Sequence, residues 1–236
     1  MKHLKEFTTL FLDIGGVLLT DGWDHDARKR AAAHFSLEPD EMEDRHRLLF
    51  ETFEDGKLTL DQYLAGAVFY EQRSFTQDQF REFMFAQSEA YPEMIDLITQ
   101  IKVRYGLKIA VVSNEARELN AYRIQKFKLG DLVDFFISSC FVHIRKPDAD
   151  IFRLALDISN APAEQVLFID NTPMFVRIAE SLGIRSIHHT DYESTSGKLA
   201  SFGLDCRSPF WSERSEAGQK LLALKTDQRK EQHERE

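Results

Sequence analysis

The sequence has little cysteine, no long apolar run and no excess of positive charge, and each shortage excludes a class of protein. Two cysteines in 236 residues exclude a disulfide scaffold and a cysteine-rich zinc module, so we expect a cytoplasmic setting. No stretch approaches the ~18–20 apolar residues of a membrane span, and the first residues turn acidic too soon for a signal peptide. A net charge of -9 argues against nucleic acid as a partner.

The apolar and aromatic content of the sequence predicts a substantial hydrophobic core. Hydrophobic residues make up 43% of the sequence, and its 19 Phe argue against intrinsic disorder. This length accommodates one large domain or a domain with a sizeable insertion.

Short apolar runs that alternate with helical patterns indicate an α/β fold. The helical patterns include one from Pro92 to Gly106, and one after Pro147 that places apolar residues on an inward face. Strands alternating with helices predict a Rossmann-like three-layer sandwich with a mostly parallel sheet. The predicted strands lie at 8–12, 108–112, 134–138, 165–169 and 183–187. The residues expected to face inward after Pro147 are Ile151, Phe152, Leu154, Ala155 and Ile158.

Residues 21–90 interrupt this alternation. They contain amphipathic helical stretches without a convincing strand, and they are too many for a loop. We predict an α-helical cap at 21–90, inserted into a core made of residues 1–20 and 91–205. The cap carries 16 acidic and 8 basic side chains, so it holds most of the negative charge. Residues 206–236 are polar and predict a mobile C-terminal tail.

Polar side chains stand where three of the predicted strands end. Asp13 follows the first run, Ser113 and Asn114 follow the second, and Asp170 follows the fourth. Lys146 stands just before the helix that follows the third run. Ligands of open α/β sheets bind beyond the carboxyl ends of the strands, so we expect these five residues to converge. Carboxylates, a hydroxyl, an amide and an ammonium together suit a phosphoryl group and a divalent cation.

Four segments resemble the motifs of the haloacid dehalogenase superfamily, in the superfamily's order and spacing. They are Asp-Ile-Gly-Gly-Val-Leu at 13–18, Val-Val-Ser-Asn at 111–114, Arg-Lys-Pro-Asp at 145–148 and Phe-Ile-Asp-Asn at 168–171. The resemblance covers roughly residues 8–190, and the helical insertion after the first motif is similar to that superfamily's helical cap. It implies a Rossmann-like core with an α-helical cap.

The resemblance also implies a reaction, namely hydrolysis of a small phosphorylated metabolite. Asp13 would be the nucleophile and would form an aspartyl-phosphate that water later cleaves. Ser113 and Asn114 would bind the phosphoryl oxygens. Lys146 would neutralise the developing charge and orient Asp13.

A magnesium ion is part of what the resemblance implies. Its ligands would be Asp13, the backbone carbonyl of Gly15 and Asp170, with water and a phosphate oxygen completing the shell. Hard oxygen ligands and retained waters suit Mg²⁺. Asn171 stands where a second acidic residue is common, and an amide in its place removes one negative charge from the site.

The main departure from the superfamily's pattern is Gly15. Most phosphatases of the superfamily carry a second aspartate there, which acts as general acid and then as general base. Some sugar-phosphate phosphatases of the superfamily also have Gly at this position. A second explanation is that a cap residue just beyond the first strand supplies the proton to the leaving group. A third is that the activity is slow or lost. The acidic and histidine candidates are Asp21, Asp24, His25 and Asp26.

Two further hypotheses follow from the missing aspartate. The same Asp13 could serve a dehalogenase-type hydrolase, a branch that also lacks the second aspartate and works without metal. Alternatively, the chain could be a non-catalytic module that keeps the fold and binds phosphate. The acidic Asp170 favours the magnesium-dependent phosphatase over the dehalogenase-type hydrolase.

Overall fold

The computed structural model of this chain describes residues 7–205, and within them five parallel strands form one sheet. The order across the sheet is β3-β2-β1-β4-β5, so the first strand lies at its centre. This arrangement confirms the predicted α/β fold class and the mostly parallel sheet. The predicted tail at 206–236 lies outside the described residues. The strands are β1 (Thr9–Leu12), β2 (Lys108–Ser113), β3 (Phe135–Ser138), β4 (Val166–Asp170) and β5 (Arg185–His188).

Helices cover both faces of the sheet and make it the middle of three layers. Along β1, Leu10 and Leu12 belong to the apolar cluster of one face, whereas Phe11 belongs to that of the other. No helix within residues 7–205 combines the length and the apolar character that crossing a membrane requires. The core helices are α5 (Pro92–Tyr105), α6 (Arg117–Lys126), α7 (Leu129–Leu132), α8 (Ser139–Val142), α9 (Asp150–Ser159), α10 (Pro173–Ser181) and α11 (Tyr192–Ser201).

Local sequence signals explain the bounds of some of these helices. Pro92 occupies the first turn of α5, where its missing N–H leaves no bond unmade. Gly106 ends that helix in the left-handed conformation, with φ at 60°. The expectation that Ile158 faces inward in α9 is wrong, because that side chain is 51% exposed. The buried stripe of α9 consists of Ile151, Phe152, Ala155 and Ser159.

The insertion is helical, as predicted, and its apolar cluster also takes in Ala116 and Leu119 of the core. Its members include Trp23, Phe53, Tyr63 and Phe80. Three of its helices begin with a side-chain N-cap. The side chains of Asp24, Thr59 and Thr76 accept hydrogen bonds from backbone N–H groups in the first turn. The helices are α1 (His25–Phe35), α2 (Pro39–Glu54), α3 (Leu60–Ala67) and α4 (Gln77–Ala86).

The chain leaves the core and returns to it through two adjacent segments. Thr20 N donates to Glu89 O at 2.9 Å, and Glu89 N donates to Thr20 Oγ1 at 3.0 Å. Tyr91 N then donates to Leu18 O at 2.9 Å. These bonds join the two segments at the predicted boundaries, and they support our proposal that residues 21–90 form a cap domain.

A hydrogen-bond chain inside the insertion includes a histidine whose pKa is strongly lowered. Trp23 Nε1 donates to Tyr63 Oη at 2.9 Å, and the same hydroxyl lies 2.9 Å from His46 Nδ1. Since indole can only donate, the Tyr63 hydroxyl keeps its own proton available, and an unprotonated His46 Nδ1 can accept it. Burial, followed by the charge of Arg28, lowers the pKa of His46 to about 4.

This histidine should make the protein less stable in acid. The unfolded chain binds a proton at His46 near pH 6.5, whereas the folded chain does not until about pH 4. The contribution of His46 is therefore complete above pH 6.5 and is lost as the pH falls toward 4. We expect His46→Asn, which keeps an acceptor for Tyr63, to remove this pH-dependent loss, which is about 3 kcal/mol. Urea unfolding at several pH values measures it, and an unchanged slope would contradict the assignment.

Candidate active site

The carboxyl ends of the three central strands bring the predicted polar residues to one edge of the sheet. β1 lies between β2 and β4, and the register pairs Leu12 with Val111 and with Ile169. Asp13 continues the ladder for one residue, because its N–H donates to Ile169 O at 3.0 Å. Asp13 therefore lies between the ends of β2 and β4, which carry Ser113 and Asp170.

Lys146 joins the two aspartates of this edge. Its Nζ lies 3.0 Å from Asp13 Oδ2 and 2.6 Å from Asp170 Oδ2. The lysine is fully buried, and the rings of Phe168 and Phe175 lie 5.7 and 4.9 Å from its Nζ. Burial alone would lower the pKa of Lys146, but the two carboxylates outweigh it and raise that pKa. Lys146 is thus a fixed cation shared by two acids.

Backbone N–H groups hold the remaining oxygens of the two carboxylates. Asp13 Oδ1 accepts from Ile14 N at 2.8 Å, and Asp170 Oδ1 accepts from Thr172 N at 2.7 Å. Burial, followed by the charge of Asp13, raises the pKa of Asp170 to about 6, although Lys146 opposes the shift. Two buried acids that share one lysine leave an excess of negative charge, which a bound cation would relieve.

Asn114 binds the backbone of Lys146 with both ends of its amide. Its Nδ2 donates to Lys146 O at 2.8 Å, and Lys146 N donates to its Oδ1 at 2.8 Å. This pair of bonds fixes the loop that carries the buried lysine. A direct contact between Asn114 and a phosphoryl group stays a prediction.

The hydroxyl of Ser113 points to a missing ligand. Ser113 is 1% exposed, and its Oγ has no hydrogen-bond partner among residues 7–205. Buried polar atoms are normally satisfied, so an orphaned hydroxyl beside Asp13 indicates a site for a group that accepts or donates a hydrogen bond. Ser138, its register partner on β3, has an orphaned Oγ as well.

In the turn after Asp13, position 16 accommodates only glycine. Gly16 has a φ of 67°, and a Cβ there would lie 1.9 Å from Asn171 Nδ2. That Asn171 nitrogen donates to Asp21 Oδ1 at 3.2 Å. Burial against this turn, and then the charge of Asp13, raise the pKa of Asp21, although its outer side is exposed. The sequence gives Asp21 as one of four candidate proton donors, but it does not show that Asp21 lies next to Gly15 and Gly16.

The insertion contributes charge beside the site through the end of α2. Arg145 Nη2 donates to Glu54 Oε2 at 2.7 Å, and Ser139 Oγ donates to Glu54 O at 2.7 Å. Gly56 approaches α8 so closely that a Cβ there would lie 2.3 Å from Cys140 O. Burial raises the pKa of Glu54 even though Arg145 opposes the shift. The insertion is therefore anchored next to the Lys146 loop.

A second buried ion pair, which sequence reasoning missed, holds the segment where the insertion begins. Arg123 Nη1 donates to Glu115 Oε1 at 2.7 Å, and Arg123 Nη2 donates to Thr20 O at 2.5 Å. Burial raises the pKa of Glu115 to about 7, although Arg123 opposes the shift. Charged residues in a helical sequence predict solvent exposure, and no local sequence pattern indicates that Glu115 and Arg123 are buried.

Metal-binding capacity at this edge depends on two carboxylates. Within the described part of the chain, no group of three or more His, Cys, Asp or Glu side chains could hold a metal ion. The predicted set has two such side chains, those of Asp13 and Asp170, together with the backbone carbonyl of Gly15. A substrate oxygen and water would have to supply the remaining ligands.

Comparison with known proteins places the chain in a family. The family model described as haloacid dehalogenase-like hydrolase matches residues 7–183. Phosphoglycolate phosphatase 1 of Pseudomonas aeruginosa is 25% identical over 100 residues, which are 42% of this chain and 36% of that protein. The chain spans half or less of the length of the curated relatives that it matches.

Two solved structures illustrate the shared fold. The HAD family enzyme BT-2542 of Bacteroides thetaiotaomicron has a TM-score of 0.69 at 18% identity, over 84% of this chain and 99% of that one. That enzyme has also been solved in complex with magnesium and inorganic phosphate. The L-2-haloacid dehalogenase of Xanthobacter autotrophicus has a TM-score of 0.55 at 14% identity, over 89% of this chain and 87% of that one.

Proposed function

Because this chain belongs to the haloacid dehalogenase-like hydrolases, we propose that it is a cytoplasmic phosphatase of a small phosphorylated metabolite, with Asp13 as nucleophile. The observation that carries the proposal is the buried Lys146, which contacts Asp13 and Asp170 beside the orphaned hydroxyl of Ser113. Such a constellation supplies an anionic nucleophile, a fixed cation and a free hydrogen-bonding group at one edge of the sheet.

The proposed reaction assigns a separate task to each of these side chains. A carboxylate oxygen of Asp13 attacks phosphorus, the bond to the ester oxygen breaks, and the alcohol leaves. Lys146 fixes the attacking carboxylate and offsets the charge on the phosphoryl oxygens. The Ser113 hydroxyl donates to one of these oxygens. Water then attacks phosphorus and releases phosphate, which regenerates the Asp13 carboxylate.

The acidic residues fit a divalent cation. The carboxylates of Asp13 and Asp170 share only one lysine, and burial, followed by the charge of Asp13, raises the pKa of Asp170. We propose that they hold Mg²⁺ together with the Gly15 carbonyl. When bound, Mg²⁺ would screen the repulsion between the anionic nucleophile and the anionic substrate. The magnesium and phosphate complex of BT-2542 supports this choice of ion.

Phosphate release from a panel of metabolite phosphates and an aryl phosphate tests the proposed function. We expect release in the presence of Mg²⁺ and its loss after chelation, because two carboxylates alone repel the substrate. Re-addition of Mg²⁺ to the chelated enzyme should restore the rate. Release that persists undiminished after chelation would contradict the proposed role of the metal.

The dehalogenase hypothesis and the non-catalytic hypothesis give different results in parallel assays. The dehalogenase-type reaction predicts halide release from a 2-haloacid without added metal, and the fold shared with the Xanthobacter enzyme makes the assay worthwhile. A non-catalytic module predicts no turnover of any ester and no beryllium fluoride adduct on Asp13. The two acids around Lys146 favour the phosphatase over the dehalogenase-type reaction, because their negative charge suits a divalent cation that the dehalogenase-type reaction does not use.

A further inference from the structure

A third carboxylate lies beside the two that share Lys146. Asp21, at the start of the insertion, accepts a hydrogen bond at its Oδ1 from Asn171 Nδ2 at 3.2 Å. Asp13 and Asp170 are both ion-paired with the buried lysine. Among residues 7–205, no lysine or arginine comes within ion-pair distance of Asp21. Of the three, Asp21 is therefore the carboxyl group without a cationic partner.

The carboxylate of Asp21 occupies the space that a side chain at Gly15 would enter. A Cβ at Gly15 would lie 3.1 Å from Asp21 Oδ1 and 3.4 Å from Asp21 Cα. A Cβ at Gly16 would lie 2.9 Å from the same oxygen. Gly15 stands two residues after Asp13, so the Asp21 carboxylate is packed against the turn that directly follows the nucleophile.

Departure of an alkoxide from phosphorus requires a proton donor that is distinct from the nucleophile. Asp13 cannot serve, because it attacks phosphorus, and Asp170 is held by Lys146 and by the N–H of Thr172. Asp21 is held by a single hydrogen bond at one oxygen, which leaves its other oxygen without a hydrogen-bond partner among residues 7–205. Its exposed outer side allows exchange of the proton with water.

We propose that Asp21, delivered from the insertion into the space left by Gly15, is the acid–base residue of this hydrolase. The inference depends on the proposed phosphatase function. As the bond between phosphorus and the ester oxygen breaks, its electron pair goes to that oxygen, which takes the Asp21 proton and leaves as an alcohol. The Asp21 carboxylate then takes a proton from water as the water oxygen attacks phosphorus and the bond to Asp13 breaks.

Leaving-group dependence distinguishes this role from a structural one. We expect Asp21→Asn to lower kcat/KM for an alkyl phosphate by ~10²–10³-fold, but to affect 4-nitrophenyl phosphate far less, because nitrophenolate leaves without protonation. Asp24→Asn is the matched control, because asparagine caps α1 as well as aspartate does and lies on the same segment. That variant should retain the wild-type rate on both esters.

A double variant that moves the carboxylate from position 21 to position 15 tests whether its place beside the turn is what matters. In an Asp21→Gly background, Gly15→Asp should restore turnover of the alkyl phosphate, because the carboxylate re-enters the same space from the neighbouring backbone position. Equal losses on both esters in Asp21→Asn, or no loss on either, would overturn the proposal. If wild type and Asp24→Asn release no phosphate from any ester, the proposed function itself has failed, and the two failures are therefore distinguishable.

Discussion

Asp13→Asn should lower phosphate release by at least ~10⁴-fold, because the amide is not a nucleophile and no covalent intermediate forms. The substitution preserves the shape of the side chain and its acceptor for the N–H of Ile14. It also leaves Lys146 paired with Asp170, so no buried lysine loses its last partner. The fold and the urea midpoint should therefore stay close to those of the wild type.

Initial rates with an aryl phosphate and saturating Mg²⁺ measure this effect. Asp191→Asn is a matched control, because it makes the same chemical change at the N-cap of α11, a position that asparagine occupies equally well. The control should keep the wild-type rate. Asp13→Asn with more than about a tenth of that rate would exclude Asp13 as the nucleophile.

Lys146→Met should have the largest effect on stability and should also abolish turnover. The substitution leaves Asp13 and Asp170 without their shared cation, and their exposures are 8% and 0%. Removing one partner of a buried ion pair costs about 3–5 kcal/mol, because the charge left behind is uncompensated. Methionine is one atom shorter than lysine but keeps its apolar stem, so loss of packing against Phe168 and Phe175 contributes little.

The same change at a partly exposed ion pair provides the control. Lys102 Nζ contacts Asp134 Oδ1 at 2.9 Å, and both side chains are accessible to solvent. Lys102→Met should cost about 1 kcal/mol or less for the ion pair, since water screens it. Urea unfolding of both variants measures the difference. If the two losses are equal, Lys146 is not the central cation of a buried site.

The strand ends were the part of the site that the sequence could predict. A polar residue directly after a buried strand indicates a functional role. Asp13, Ser113 and Asp170 lie at one edge of the sheet because parallel strands share their direction. The bounds of α5 followed from the fixed φ of Pro92 and the left-handed Gly106.

Contacts made across loops could not be read from local patterns. The amide of Asn114 binds the Lys146 backbone, a partner 32 residues away, and no local pattern in the sequence indicates this contact. The placement of Asp21 against Gly15 depends on the path of the chain after β1. α11 escaped prediction because Ser, Thr and Gly within Tyr192–Ser201 are poor helix formers, so its stability comes from packing.

Chemical trapping of the covalent intermediate shows which residue carries the phosphoryl group during turnover. The enzyme is quenched in acid during turnover of an aryl phosphate with Mg²⁺, reduced with borohydride to mark acyl phosphates, and digested for mass spectrometry. We expect one modified residue, Asp13, in the wild type and none in Asp13→Asn. Full turnover with an unmodified Asp13, or a phosphoryl group on another residue, would contradict this expectation.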